Sequence, residues 1–297
     1  MAKFTYWLNA TRPKTLPAGL MPVIIGSSIA YSAHHFSYLL FAVTVACSLL
    51  IQIITNYLNE LYDYRKGADG KDRVGPLRIV SAGIVSSRAM AIVSSGLILI
   101  TLSLGMLLVA HAGIPVLVIG LLSLFMAYAY TGGPFPLAYK GLGDIFVLVF
   151  FGLVATAGTY YVQAVSLNSI VIIAGFAPGL FSANILAVNN IRDIDSDRKI
   201  CKMTLQARLG ARRSVILYIA LNIISFQVPV VLALLGKHWL LLLPLLALPR
   251  SISICKKLLI TTGAGLNIIL ADTGKLLVVY GMLQTIAYVG LTIWGNH

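Results

Sequence analysis

The chain reads as an all-α integral membrane protein, a bundle of about nine transmembrane helices in a single transmembrane domain over residues 1–297. Three observations predict this. Hydrophobic residues make up 59% of the sequence and charged residues 10%, with a mean hydropathy of +0.91. Soluble domains carry about 25% charged residues, so this chain lacks the charge to cover a water-facing surface. The apolar residues form long runs rather than alternating segments of about ten residues, which excludes a transmembrane barrel. Basic residues, finally, gather on one side of every candidate turn, as cytoplasmic loops do.

A spanning helix takes roughly 20 mostly apolar residues. In chain order the runs centre on 16–33, 38–58, 89–111, 114–131, 143–163, 168–189, 213–235, 238–254 and 275–294. The second and sixth end in clusters of Asn and Asp. The eighth is the weakest, with Pro244 and Pro249 inside it and Arg250 near its end. The start of the chain lacks the basic, apolar and small-residue order of a cleaved signal peptide.

With nine crossings and the N-terminus inside, all of the 22 Lys and Arg residues except Lys237 fall on the cytoplasmic side. The formal charge of +13 therefore reports orientation in a bilayer, and no nucleic-acid partner is expected. Cys47, Cys201 and Cys255 share no metal-ligand spacing and suggest neither a disulfide framework nor a zinc site.

The acids say more than the bases. All of them lie on that same side, although Asp and Glu contribute little to orientation. Asp144 and Asp272 stand alone. Glu60, Asp63, Asp69 and Asp72 form one segment, and Asp193, Asp195 and Asp197 another. The two segments look like copies. Asn56, Asn59 and Asp63 have offsets 0, 3 and 7, and so do Asn190, Asp193 and Asp197, 134 residues later. Two pseudo-repeated halves, each with an aspartate-rich motif, are the expectation.

Offsets of this kind share one helix face, so each helix end presents a column of carboxylate and amide oxygens. Carboxylates at membrane depth face interior cavities and mark function. Hard oxygen donors at this density suit Mg²⁺, which takes one or two carboxylates together with substrate phosphates. Arg65, Lys66, Lys71, Arg73, Arg192, Lys199 and Lys202 stand among them, and cations of this kind neutralise phosphate oxygens. Spacing alone leaves a second reading open, in which acids and bases merely pair in solvated loops.

Asn59, Glu60, Asp63, Gly67 and Asp69 form a pattern that resembles the first aspartate-rich motif of the UbiA superfamily of intramembrane prenyltransferases. Asn189, Asn190, Arg192, Asp193, Asp195 and Asp197, followed by Lys202, Thr204 and Leu205, resemble the second. The stretch from Tyr130 through Tyr139 and Lys140 to Gly143 and Asp144 is similar to the family's central cytoplasmic loop. Arg12, Pro13, Lys14 and Pro17, with Asp72, Arg73, Gly75, Pro76 and Arg78, resemble the 1,4-dihydroxy-2-naphthoate prenyltransferase branch, which serves menaquinone synthesis. One position departs from the pattern: the family's usual Asn-Asp is Asn59-Glu60 here, which displaces the carboxylate by a methylene.

The resemblance implies a mechanism and its parts. Asp63, Asp193 and Asp197, with Asn59 and Glu60, would hold Mg²⁺ on a polyprenyl diphosphate. Lys14, Arg73, Lys140, Arg192 and Lys202, with Asn59 and Asn190, would bind the phosphate end. Tyr130 and Tyr139, like Tyr62 and Tyr64, would offer ring faces to an allylic cation or simply anchor the interface. The acceptor would be dihydroxynaphthoate, losing CO₂. The protein would sit in the plasma (inner) membrane with its site facing the cytoplasm. Sister branches with 4-hydroxybenzoate, homogentisate, a chlorin or haem as acceptor remain open, as does a transporter.

Overall fold

The computed structural model describes residues 2–68, 75 and 77–294. Among them every regular element is helical. A short helix α1 (Ala2–Ala10) precedes α2 (Leu16–Ser32), and the chain turns between them through Arg12 in a left-handed conformation, φ 53°. Then come α3 (Tyr38–Arg65), α4 (Ser87–Ala112), α5 (Ile114–Ala129), α6 (Gly143–Ala164) and α7 (Ser169–Arg192). Two short helices follow, α8 (Ile194–Lys199) and α9 (Leu205–Leu209). The last are α10 (Ala211–Gly236), α11 (Leu248–Ile260) and α12 (Leu266–Trp294).

Eight helical stretches among the described residues are long and apolar enough to cross a membrane. Eight of the nine expected runs coincide with them; the ninth, α5, has 16 residues. At about 1.5 Å per residue it falls short of the roughly 30 Å hydrocarbon core. The proline-bearing run is the other departure. Trp239–Ala247, around Pro244, winds as a 3-10 helix before α11 takes over, so one crossing joins two helix types. Proline removes a backbone donor and disfavours regular α-helix before it.

The largest core cluster joins α2, α7, α10 and α12 around Phe181, Tyr218, Phe226, Leu277 and Tyr280. Phe181, Phe226 and Tyr280 form a ring triad with centroids 5.0–5.7 Å apart. One contact brings backbones unusually close. The turn Val149–Val154 of α6 is π-helical, and Gly152 within it meets Gly175 and Gly179 of α7. A Cβ at Gly152 would stand 2.6 Å from the Gly175 carbonyl oxygen, so only glycine fits. Small-residue contacts of this kind let membrane helices pack without a hydrophobic driving force. Here the contact presses α6 onto the helix that carries the second aspartate-rich motif.

The first motif sits at the end of α3, and the second spans the end of α7 and the start of α8. The expected single helix face holds for the first only. In the second, α7 stops at Arg192 and Asp193 turns the chain, with φ −101° and ψ 8°. The Asp193 carbonyl accepts from the Asp197 amide at 2.8 Å and from Ser196 Oγ at 2.9 Å, so the break leaves that carbonyl satisfied.

Candidate active site

Asp63 lies buried in the last turn of α3. Its Oδ2 accepts from Arg78 Nη2 at 2.8 Å and its Oδ1 from the Tyr139 hydroxyl at 2.9 Å. Arg78 is delivered by the 77–85 segment, which folds under α3 and buries Ile79 and Val80 against Tyr57, Leu61 and Met90. Asn59, one turn earlier, accepts the Thr131 hydroxyl on Oδ1 at 2.8 Å.

In the second motif Arg192 closes a fork on its own neighbour, with Nε and Nη2 donating to the Asp193 carboxylate at 2.8 and 2.6 Å. Its remaining donors reach Asn267 Oδ1 at 2.7 Å and Asn189 Oδ1 at 2.9 Å. Bidentate pairs fix orientation as well as charge, so Arg192 aims Asp193. Asp197 is held more loosely, its Oδ1 3.4 Å from Lys202 Nζ. Its Oδ2 is buried and has no hydrogen-bond partner among the described residues. Burial pushes the Asp197 carboxyl up to about 6, against the pull of Lys202.

The 130–142 loop closes over both motifs. Lys66 Nζ donates to the Thr131 carbonyl at 2.6 Å, and the Met203 amide donates to the Tyr139 carbonyl at 3.2 Å. The Tyr139 ring lies between two ammonium groups, Lys66 at 4.5 Å and Lys202 at 5.6 Å from its centroid. Exposed cation–π contacts are worth about 0.5–1 kcal/mol, and Lys66 is exposed.

These groups wall a polar chamber of about 120 Å³. Asn59, Asp63, Asn190, Asp193, Asp197 and Lys202 all line it. Beside it lies an apolar chamber of about 280 Å³ whose wall includes Leu102, Val116, Leu124, Phe146, Phe150 and Val154. Phe146 and Phe150 stack at 4.4 Å. Arg12, Asn59, Tyr130, Leu186 and Asn189 belong to both walls, so the chambers adjoin. A charged head fits one and a hydrocarbon tail the other.

The structure thus brings together six of the expected polar residues and Tyr130, and backs Asp63 with Tyr139. Others it does not bring in. Glu60 is buried but its Oε1 accepts the Val80 amide at 2.9 Å, so it anchors the 77–85 segment and lines neither chamber. Lys14 is exposed. Lys140 is exposed too, with its ammonium 5.3 Å from the Phe135 ring centroid. Arg192 acts on Asp193 from behind the wall. Tyr62 packs on Tyr128 at 5.4 Å and Tyr64 is exposed. Arg73 lies outside the described residues. Sequence reasoning missed Thr131 and Gln206, which carry no local signal, and gave Asp144 no role beyond its place at the end of the central loop.

Glu60 gives a direct test. Glu60→Gln keeps an acceptor for Val80 and should leave turnover and its Mg²⁺ dependence nearly unchanged. Glu60→Ala strands a buried amide and should lower stability by about 1–3 kcal/mol. Titrating Mg²⁺ against turnover in both variants checks this; a weakened Mg²⁺ requirement in Glu60→Gln would return Glu60 to the metal site.

The donor set can be tested against a divalent cation. Among the described residues no three His, Cys, Asp or Glu side chains cluster closely enough to hold an ion by themselves. The chamber instead mixes carboxylates with Asn oxygens and leaves Asp197 Oδ2 spare. That suits Mg²⁺, which completes its shell with phosphate oxygens and water. The residues fit the ion provided a diphosphate arrives with it.

Comparison with known proteins agrees. A model of the UbiA prenyltransferase family matches residues 19–263. The 1,4-dihydroxy-2-naphthoate octaprenyltransferase of Haemophilus influenzae is 36% identical over 264 residues, 82% of this chain and 84% of that protein. The protein of the same name from Mycobacterium leprae is 32% identical, with 95% of each chain covered. Among solved structures, a UbiA homolog from Archaeoglobus fulgidus bound to DMAPP and Mg²⁺ superposes with a TM-score of 0.68. It covers 96% of this chain and 99% of its own at 14% identity, a likeness of fold alone.

Proposed function

The chain belongs to the UbiA prenyltransferase family, and from that premise we propose that it transfers a polyprenyl group from polyprenyl diphosphate to 1,4-dihydroxy-2-naphthoate. Diphosphate and CO₂ leave, and demethylmenaquinol is the product. The observation that carries this reading is the adjoining pair of chambers, polar and apolar, sharing Asn59 and Tyr130.

Asp63, Asp193 and Asp197, with the Asn59 and Asn190 oxygens, would hold Mg²⁺ against the diphosphate. When bound, the ion supplies Lewis-acid neutralisation of the leaving group. The chain's own groups do the rest. Lys202, in the polar wall, meets phosphate oxygens that the ion leaves bare. Arg78, Tyr139 and Arg192 keep the carboxylates aimed, so little reorganisation accompanies the separation of charge. As the allylic C–O bond breaks, the apolar chamber keeps water from the carbocation. The ring faces of Tyr130, Phe146 and Phe150 stand in that wall and favour positive charge. The naphthoate ring then forms the new C–C bond, and departure of its carboxylate as CO₂ restores aromaticity.

Mass spectrometry of the product from purified protein, dihydroxynaphthoate and a prenyl diphosphate tests the assignment. Substrates recovered unchanged would overturn it in favour of transport.

The cytoplasmic face of the plasma (inner) membrane is the proposed address of the site, supported by the one-sided basic residues. Single cysteines at Ala82 and Ala211, both exposed, should react with an impermeant thiol reagent only from the cytoplasm. One at His35 should react only from outside. Labelling of Ala82 and Ala211 from opposite sides would break the two-motif site.

A further inference from the structure

An asparagine can turn either its oxygen or its amide toward a ligand, and only the oxygen serves a cation. Asn190 lines the polar chamber, and its Nδ2 donates to Gln206 Oε1 at 2.9 Å. Gln206 is fully buried behind the wall and its Nε2 donates to Asp144 Oδ1 at 2.7 Å. The sense of this chain is set at one end. An ionised carboxylate only accepts, so Asp144 takes the Gln206 amide, which leaves the Gln206 oxygen for the Asn190 amide. The Asn190 oxygen is then the atom left for the chamber, and no hydrogen bond reaches it among the described residues. The first motif has no counterpart of this relay at the polar chamber, since its Asn56 lines the apolar one. Asn56, at the matching offset, donates its Nδ2 to the Thr11 carbonyl at 2.9 Å.

We propose that Gln206 is a positioning residue that, polarised by Asp144, holds the Asn190 carbonyl oxygen toward the bound cation. The inference rests on the reading of the polar chamber as a metal–diphosphate site. It assigns to the affinity of that site Gln206, which lines neither chamber, and Asp144, which stands in the polar wall and acts here through Gln206.

The relay can be reversed on paper. Asp144→Asn removes the acceptor-only group that fixes the sense of the relay, so that Gln206 is free to flip and the Asn190 amide to turn into the chamber. Adding Asn190→Asp completes the reversed chain, with the Gln206 amide now donating to a carboxylate at position 190. The double variant keeps the wild-type net charge and the same number of hydrogen bonds.

The measurement is equilibrium Mn²⁺ binding, followed by paramagnetic resonance, to full-length protein in detergent with inorganic pyrophosphate present and no acceptor. Wild type should bind. Asp144→Asn should bind roughly tenfold more weakly, the effect of one misdirected hydrogen-bonding group at about 1.4 kcal/mol per decade. The double variant should recover most of that loss. Wild-type affinity in Asp144→Asn overturns the relay and leaves the metal–diphosphate reading standing. Weak binding in both variants also overturns it, because a merely structural role of Asp144 predicts no rescue. Absence of binding by wild type overturns the reading of the chamber itself.

Discussion

Asp63→Asn, Asp193→Asn and Asp197→Asn should each lower prenyl transfer by on the order of a hundredfold or more, the usual cost of removing one preorganised charge-stabilising group. The three differ in what else they disturb. Asp63→Asn also breaks a buried pair with Arg78, and Asp193→Asn a buried fork with Arg192. Breaking such pairs costs about 3–5 kcal/mol, so lost activity there mixes chemistry with stability. Asp197→Asn is the clean case. Among the described residues its carboxyl has only a long contact to Lys202 and an Oδ2 without a hydrogen-bond partner, and burial raises it to about 6. A carboxyl whose folded pKa lies above its unfolded value of about 3.9 binds its proton more tightly when folded. Its contribution to stability is therefore fullest at low pH and is lost as pH rises from about 4 to about 6. At neutral pH and without metal, Asp197→Asn should melt no lower than wild type while losing turnover. Initial rates over a Mg²⁺ titration, with melting curves in chelator, separate the two effects. Full activity of Asp197→Asn, or turnover indifferent to chelator, would contradict the proposed mechanism.

Dihydroxynaphthoate should be prenylated with release of CO₂, and 4-hydroxybenzoate should not, when each is offered with one prenyl diphosphate and Mg²⁺. The acceptor's carboxylate needs a cationic partner near the meeting point of the chambers. Of the described bases in the branch-specific motifs, Arg78 is bound to Asp63, Lys14 lines neither chamber, and Arg12 lines both. Arg12→Ala should therefore remove a charge-assisted hydrogen bond of about 1.5–3 kcal/mol, roughly ten- to hundredfold in acceptor use. The KM for prenyl diphosphate should move far less. Efficient prenylation of 4-hydroxybenzoate with its carboxylate retained would leave the family standing and the naphthoate branch wrong.

The bundle was legible because lipid demands long apolar runs, and a run announces itself locally. The exceptions are where geometry depends on neighbours. The π-turn at Val149–Val154 has no sequence mark of its own; it accompanies the Gly152 approach to Gly175 and Gly179, twenty and more residues away. The carboxylates were legible because helical offsets put Asn59 and Asp63 on one face. Glu60 stands about 100° round the helix from Asn59, and its contact with Val80 depends on a distant segment that the spacing does not reveal. Partners delivered by distant loops, such as Thr131 to Asn59 and Gln206 to Asn190, follow from topology and not from spacing.

The side-by-side chambers have a consequence for how the reaction ends. The substrate is retained at two points, its charged head in the polar chamber and its chain in the apolar one, and the reaction destroys the first of them. Once the allylic bond is cut, the prenylated ring keeps only contacts that lipid offers equally well, because hydrocarbon gains nothing from moving between two apolar surroundings. The quinol is free to drift into the bilayer. The diphosphate keeps every charged contact it arrived with and is the slower fragment to leave. Pyrophosphate, not quinol, is then the expected brake on this enzyme, and its removal from the polar side sets the direction of flux.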